Sequence, residues 1–224
     1  GEFAAGSTTP VVASPDGTLF AGWISFVNAT SVLGVRVAYS RPGSTTFESP
    51  LMMLAAEYNS LDALRLAIDG DGRLVLAVVA STDGGVTRSL RITRCDVSGA
   101  PLCEAPIVVP DASAVALVEP EPGRISVVWL TATAEVRIAD LGPTGLGAST
   151  LAATATSPFQ LSAWAGSGTV LVQWSEGPFG RRAARIGGVW QPATMIDDLV
   201  VDAAFTPDGS MHLLRVTNSV GLEV

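Results

Sequence analysis

Leu66-Ala67-Ile68-Asp69-Gly70-Asp71-Gly72-Arg73-Leu74-Val75-Leu76-Ala77-Val78-Val79-Ala80 is the stretch on which the fold turns. A short apolar run ends in Asp71-Gly72, and a longer apolar run starts two residues later. Glycine accepts the positive φ that tight hairpin turns demand, so this pattern predicts two antiparallel strands. The second run shows no polar alternation, which is how a strand reads when both of its faces are covered.

The pattern recurs along the chain. Val11-Val12-Ala13-Ser14-Pro15-Asp16-Gly17 leads into 19–26, residues 116–123 into 125–130, 161–168 into 170–174, and 203–209 into 211–216. The turn glycines are Gly17, Gly72, Gly123, Gly168 and Gly209. A third strand follows each pair and carries a column of apolar-Arg-apolar: Val35-Arg36-Val37, Leu90-Arg91-Ile92, Val136-Arg137-Ile138 and Ala184-Arg185-Ile186, with Leu222-Glu223-Val224 in the last slot. A fourth strand is expected to open with a bulky residue at Phe47, Leu102, Leu146 and Trp190. In the last repeat it is missing, and Glu2-Phe3-Ala4-Ala5-Gly6-Ser7 resembles the sequences that fill it elsewhere. Repetition of one four-strand order marks a repeat architecture. The expected fold is all-β: a five-bladed β-propeller of four-stranded antiparallel blades, with residues 1–224 as a single domain and the N-terminal strand closing the last blade.

The run Ser14-Pro15-Asp16-Gly17-Thr18-Leu19-Phe20-Ala21-Gly22-Trp23, with Val35 to Gly43 after it, resembles the propeller repeats of secreted and surface bacterial proteins. The run from Leu90 to Cys95, with Cys103 beyond it, is similar to cysteine-bearing versions of those repeats. The likeness extends loosely to sialidase-type repeats and to five-bladed lectins of the tachylectin kind. The Ser-x-Asp-x-Gly-x-x-Trp box of the former is not reproduced, because Ser14-Pro15-Asp16-Gly17 lacks its spacing. Such relatives include both lectins and glycoside hydrolases, so the resemblance implies a fold and leaves the activity open.

Composition narrows the field. With 48% hydrophobic and only 15% charged residues, the chain has a core to bury and is not a disordered one. No apolar run approaches the ~20 residues of a membrane-spanning helix, so no membrane insertion is expected. A net charge of −8 argues against a nucleic-acid partner, which requires a basic face. Cys95 and Cys103 flank a turn-rich spacer that suits a hairpin, which predicts a disulfide and an extracellular, cell-surface or periplasmic location; two reduced thiols are the alternative.

In a propeller, the loops between blades share one face with the loops between second and third strands. The expected ligand site is there: Glu57, Tyr58, Asn59 and Asp62 between the first two blades, Asp197 and Asp198 further on, and Phe179 in a second-to-third-strand loop. Tyr58 and Phe179 offer rings for a sugar to stack on. Paired carboxylates, Glu57 or Asp62 with Asp197 or Asp198, would suit glycoside hydrolysis at separations of roughly 5–10 Å. Loop carboxylates are more often simply solvated, so no catalytic residue is assigned.

His212 is the sole histidine and lies in an apolar strand, which makes it structural. No zinc pattern is present, and Asp69-Gly70-Asp71-Gly72 lacks the later ligands of a calcium loop, so turn chemistry accounts for it and neither metal nor cofactor is expected. The Arg column reads as structural, its stems covering apolar surface. The function expected is a non-catalytic recognition domain binding a glycan or protein partner at the loop face. The alternatives are a glycoside hydrolase-like enzyme and a structural scaffold module.

Overall fold

A computed structural model describes residues 9–26, 33–97, 102–177, 179–196, 198–205, 210–217 and 221–223. Side chains at 26, 52, 54–57, 198–204, 215–217 and 221–223 lie outside that description. Every described element is a strand, and five antiparallel sheets follow one another in chain order.

The first sheet holds β1 (Val11–Ala13), β2 (Leu19–Phe26), β3 (Leu33–Ser40) and β4 (Leu51–Tyr58) in that spatial order. The second holds β5 (Ser60–Ile68), β6 (Leu74–Ser81), β7 (Ser89–Asp96) and β8 (Leu102–Cys103), with β9 (Ile107–Pro110) also on β7. The third repeats this with β10 (Ala112–Glu121), β11 (Arg124–Thr131), β12 (Glu135–Gly142), β13 (Gly145–Leu146) and β14 (Thr150–Thr154). The fourth does so with β15 (Pro158–Gly166), β16 (Thr169–Glu176), β17 (Phe179–Ile186), β18 (Val189–Trp190) and β19 (Thr194–Ile196). The last comprises β20 (Asp198–Phe205), β21 (Met211–Thr217) and β22 (Gly221–Glu223). This up-and-down succession is the blade pattern of a β-propeller, and the fold is of that class. The closing strand expected at Glu2–Ser7 lies outside the described residues.

The chain divides into two compact units, Gly1–Val115 and Ala116–Val224, the boundary falling within β10. In the first unit one core joins the first two sheets. Phe20, Ile24 and Val35 pack with Leu61, Leu64 and Leu76, and Gly22 brings β2 close to Leu66. In the second unit Val127 and Trp129 of β11 and Val172 and Trp174 of β16 are buried. As expected from their unbroken apolar runs, the second strands are the most enclosed, β6 being buried along its whole length.

The fourth strand departs from expectation. In the second, third and fourth sheets it is broken into a two-residue piece and a later strand, both pairing with the third strand. Residues 104–106 and 191–193 of these breaks contain Pro106 and Pro192, which have no N–H to give a ladder. One backbone bond recurs at these three breaks, Glu104 N–H to Arg94 (2.8 Å), Gly147 to Asp140 (2.9 Å) and Gln191 to Ala184 (2.8 Å). It recurs at the matching point of the first sheet, Glu48 to Tyr39 (2.8 Å), where Phe47 precedes β4 and does not open it. This register corrects the bulky column by one position in the second sheet. Cys103 fills the slot opposite Cys95, and Leu102 is 75% exposed. The two cysteines form the expected disulfide, Cα to Cα 4.0 Å.

Asp69 confirms the turn reading of its segment. Its carboxylate accepts the Asp71 and Arg73 amides at 3.0 and 2.9 Å, while Gly72 takes φ 77°. Among the described residues no helix is long and apolar enough to cross a membrane.

Candidate functional site

The loop end expected to bind ligand is held together by its own side chains. Asn59 donates from Nδ2 to the Thr82 carbonyl (2.9 Å) and accepts the Gly84 amide on Oδ1 (2.8 Å), tying the β4–β5 connection to the β6–β7 loop. Asp62 pairs with Arg88 at 3.6 Å. Asp83 accepts the Ser81 hydroxyl (2.5 Å) and the Thr87 amide (2.8 Å), which hold its carboxyl at about 2. In the second unit Glu176 plays a similar part. Burial pushes its pKa up, but bonds from Trp174 Nε1 and the Thr156 amide, with Arg181 alongside, outweigh burial and hold it below the usual range. These carboxylates brace loops.

Tyr58 does not lie in a loop, as the sequence reading had it. It ends β4 and is 3% exposed, with the Arg91 guanidinium 5.7 Å from its ring centroid. The apolar character of β4 draws the ring into the core, so it offers no platform to a ligand. Phe179, at the start of β17 in the second unit, is 51% exposed. Asp197 and the side chains of Glu57 and Asp198 lie outside the described residues, and with them the proposed carboxylate pairs; the backbone of Asp198 opens β20 opposite Thr217. His212 stands exposed on β21. Two members of the Arg column are committed within the fold: Arg91 to Tyr58, and Arg137 to Glu135 (2.7 Å) and the Ser149 hydroxyl (3.0 Å).

A cleft of about 870 Å³ opens at the other end of the strands in the first unit. Two hairpin turns form its rims: Ser14–Thr18 joins β1 to β2, and Gly70–Arg73 joins β5 to β6. The half-buried Tyr39 gives it an aromatic side, backed by the buried Phe20, their ring centroids 6.3 Å apart. Arg41 lies 5.9 Å from the Tyr39 centroid and pairs with Glu48 at 3.3 Å, and the Tyr39 hydroxyl donates to Glu48 at 2.8 Å. Asp96 and Val97, just past β7, complete the wall.

The charged groups lining this cleft are largely engaged by neighbours, Asp16 through hydrogen bonds and the arginines through ion pairs. Asp16 is held below the usual carboxylate range by the Ser14 hydroxyl and then by the Thr18 amide at 3.0 Å. Arg73 binds Asp69 (3.0 Å), Asp71 (2.8 Å) and Glu104 (3.0 Å). The result is a concave surface with one aromatic face, that of Tyr39, and fixed donors and acceptors at its edges. Sequence reasoning passed over it because its residues come from four separate turns, each of which reads as ordinary turn chemistry. The available signal was the aromatic pair Phe20 and Tyr39 on adjacent strands, directly opposite in register.

No protein-family model matches the chain, and no curated protein matches it. Among solved structures, a protein of unknown function from Dyadobacter fermentans aligns at TM-score 0.61 and 14% identity, over 94% of this chain and 75% of its own. A Hadza microbial sialidase aligns at TM-score 0.56 and 16% identity over 84% of this chain. This chain spans only 45% of that sialidase. Prolyl oligopeptidase B from Galerina marginata aligns at TM-score 0.55 and 9% identity, over 96% of this chain and 33% of its own. At such identities the likeness is one of fold.

Proposed function

We propose that this protein is a non-catalytic recognition domain that binds a glycan in the cleft of its first unit. The fold by itself does not choose, since a sialidase and an oligopeptidase share it. What supports the reading is the cleft: the half-buried Tyr39 ring beside arginines already paired within the protein. A sugar presents an apolar ring face and a rim of neutral hydroxyls, so it gains ring contact without displacing an ion pair. A highly charged ligand would have to compete with Glu48 for Arg41, or with Asp69, Asp71 and Glu104 for Arg73. A disulfide at Cys95–Cys103 fits an extracellular, cell-surface or periplasmic setting, where such glycans occur.

The test is a broad glycan array, probed with the parent protein and with Tyr39→Ala. The expected result is a reproducible hit that the variant weakens at least tenfold, about the loss of one ring contact of ~1.4 kcal/mol. Silence across the array, or a hit that Tyr39→Ala leaves unchanged, overturns the assignment of the glycan to this cleft.

A further inference from the structure

We infer that the Cys95–Cys103 disulfide is a positioning device for one wall of the cleft, so that reduction disables the cleft while leaving the rest of the fold in place. This regulation rests on the reading of the cleft as a binding site, but the structural claim is separable from it. The residues beside the two cysteines are those that touch the cleft or hold its rim. Asp96 and Val97, which follow Cys95, line the wall. Arg94, which precedes Cys95, is 4% exposed and pairs with Asp69 at 3.3 Å. Glu104, which follows Cys103, pairs with Arg73 of the opposite rim at 3.0 Å.

The hairpin and the rim are thus joined through one ion cluster, to which Arg94 and Glu104, each next to a cysteine in the chain, both contribute. Few other bonds hold β8 in place. Its pairing is confined to Cys95↔Cys103 and Asp96↔Leu102, with the Glu104 amide to Arg94 and the Thr93 hydroxyl to the Glu104 carbonyl (2.7 Å) continuing it. In the fourth sheet the same slot holds the pair Arg185↔Trp190, and in the third Leu141↔Leu146. Of these three, the second sheet alone uses a covalent bond there; its hairpin lines the cleft, as do Arg41 and Pro42 of the matching connection in the first sheet.

Cys95 is fully buried and Cys103 partly so, which directs a reductant to the Cys103 sulfur. A dithiol attacks that sulfur as thiolate, and Cys95 leaves as a thiolate that takes up a proton. The second thiol of the reductant then closes on the mixed disulfide and releases Cys103. Two electrons and two protons pass to the protein, and the reductant becomes a cyclic disulfide. With the tie gone, Glu104 no longer holds Arg73 in place, and Asp96 and Val97 are free to leave the wall.

Amide hydrogen exchange tests this on the full chain without any ligand, comparing the oxidised protein, the dithiothreitol-treated protein and a Cys95→Val/Cys103→Ala double variant that keeps the buried volume filled. The expected result is exchange faster by roughly 10- to 100-fold at residues 93–97 and 69–73, the range set by losing a short closed loop, with β11 and β16 unchanged. Unchanged exchange at 93–97 and 69–73 overturns the proposal. So does a uniform rise over both units, which would make the disulfide a brace of the whole fold. If exchange changes as expected and the glycan array is silent, the positioning role stands and only the binding assignment falls.

Discussion

Asp69 shows how much one side chain can carry in this fold. Its carboxylate closes the β5–β6 turn through two amides and also neutralises Arg94, which the core of the second sheet encloses. Removing one partner of a buried ion pair leaves the other uncompensated, at a typical cost of about 3–5 kcal/mol. Glu104 stays 3.9 Å from Arg94, so Asp69→Asn is expected to lower stability by less than that, about 1–3 kcal/mol, read as a fall in the urea midpoint at unchanged slope. An effect below about 1 kcal/mol would place Arg94 in reach of water. Asp83 offers a test by pH. Its folded pKa of about 2 lies below the usual ~3.9, so its stabilising bonds are complete above the unfolded value and are lost as pH falls through about 2. A side-chain carboxyl titration by NMR should give a midpoint near 2 for Asp83, rising in Ser81→Ala. A midpoint at the ordinary value in the parent protein would mean that the β6–β7 loop is not braced as described.

Among elements, the first strands show where sheets approach each other. Gly166 ends β15 against Phe205 of β20, and a methyl group added there would collide with the base of the Phe205 side chain. Gly22 of β2 faces the tip of Leu66, 3.0 Å from where a methyl carbon would sit. A leucine tip can rotate away, whereas the root of a phenylalanine moves only with its backbone. Gly166→Ala is thus expected to cost about 1–3 kcal/mol, and Gly22→Ala less. Thermal denaturation of the two variants checks the order, and the reverse order would show the approach of β15 to β20 to be looser than described. The broken fourth strands belong to this scale too. Phe47, Leu102, Leu146 and Trp190 were legible as a column, but Pro106 and Pro192 interrupt the strands, and Cys103 displaces Leu102 from the buried slot. Bulk alone could not show this, because strand register decides which of two neighbours faces inward.

For the molecule as a whole, the expectation of a single domain over 1–224 is a proposal that calorimetry can test. One domain unfolds in one cooperative transition with equal calorimetric and van't Hoff enthalpies. Two transitions would assign separate stabilities to the units Gly1–Val115 and Ala116–Val224.

The sequence by itself determined the strand class, the order of the first three strands within each sheet and the hairpin turns at Gly17, Gly72, Gly123 and Gly168, and it pointed to the disulfide. These follow from local causes: apolar runs, turn glycines at fixed places, and two cysteines facing across a hairpin. It did not reveal the cleft or the burial of Tyr58. The cleft is assembled from turns that lie far apart in the chain, and its concavity exists only once the first two sheets pack. Glu57, Tyr58 and Asp62 read as loop residues, yet β4 runs through Tyr58 and β5 takes in Asp62, and packing took the Tyr58 ring inside. Tertiary structure decides such matters because burial is a property of neighbours, and these neighbours come from other strands.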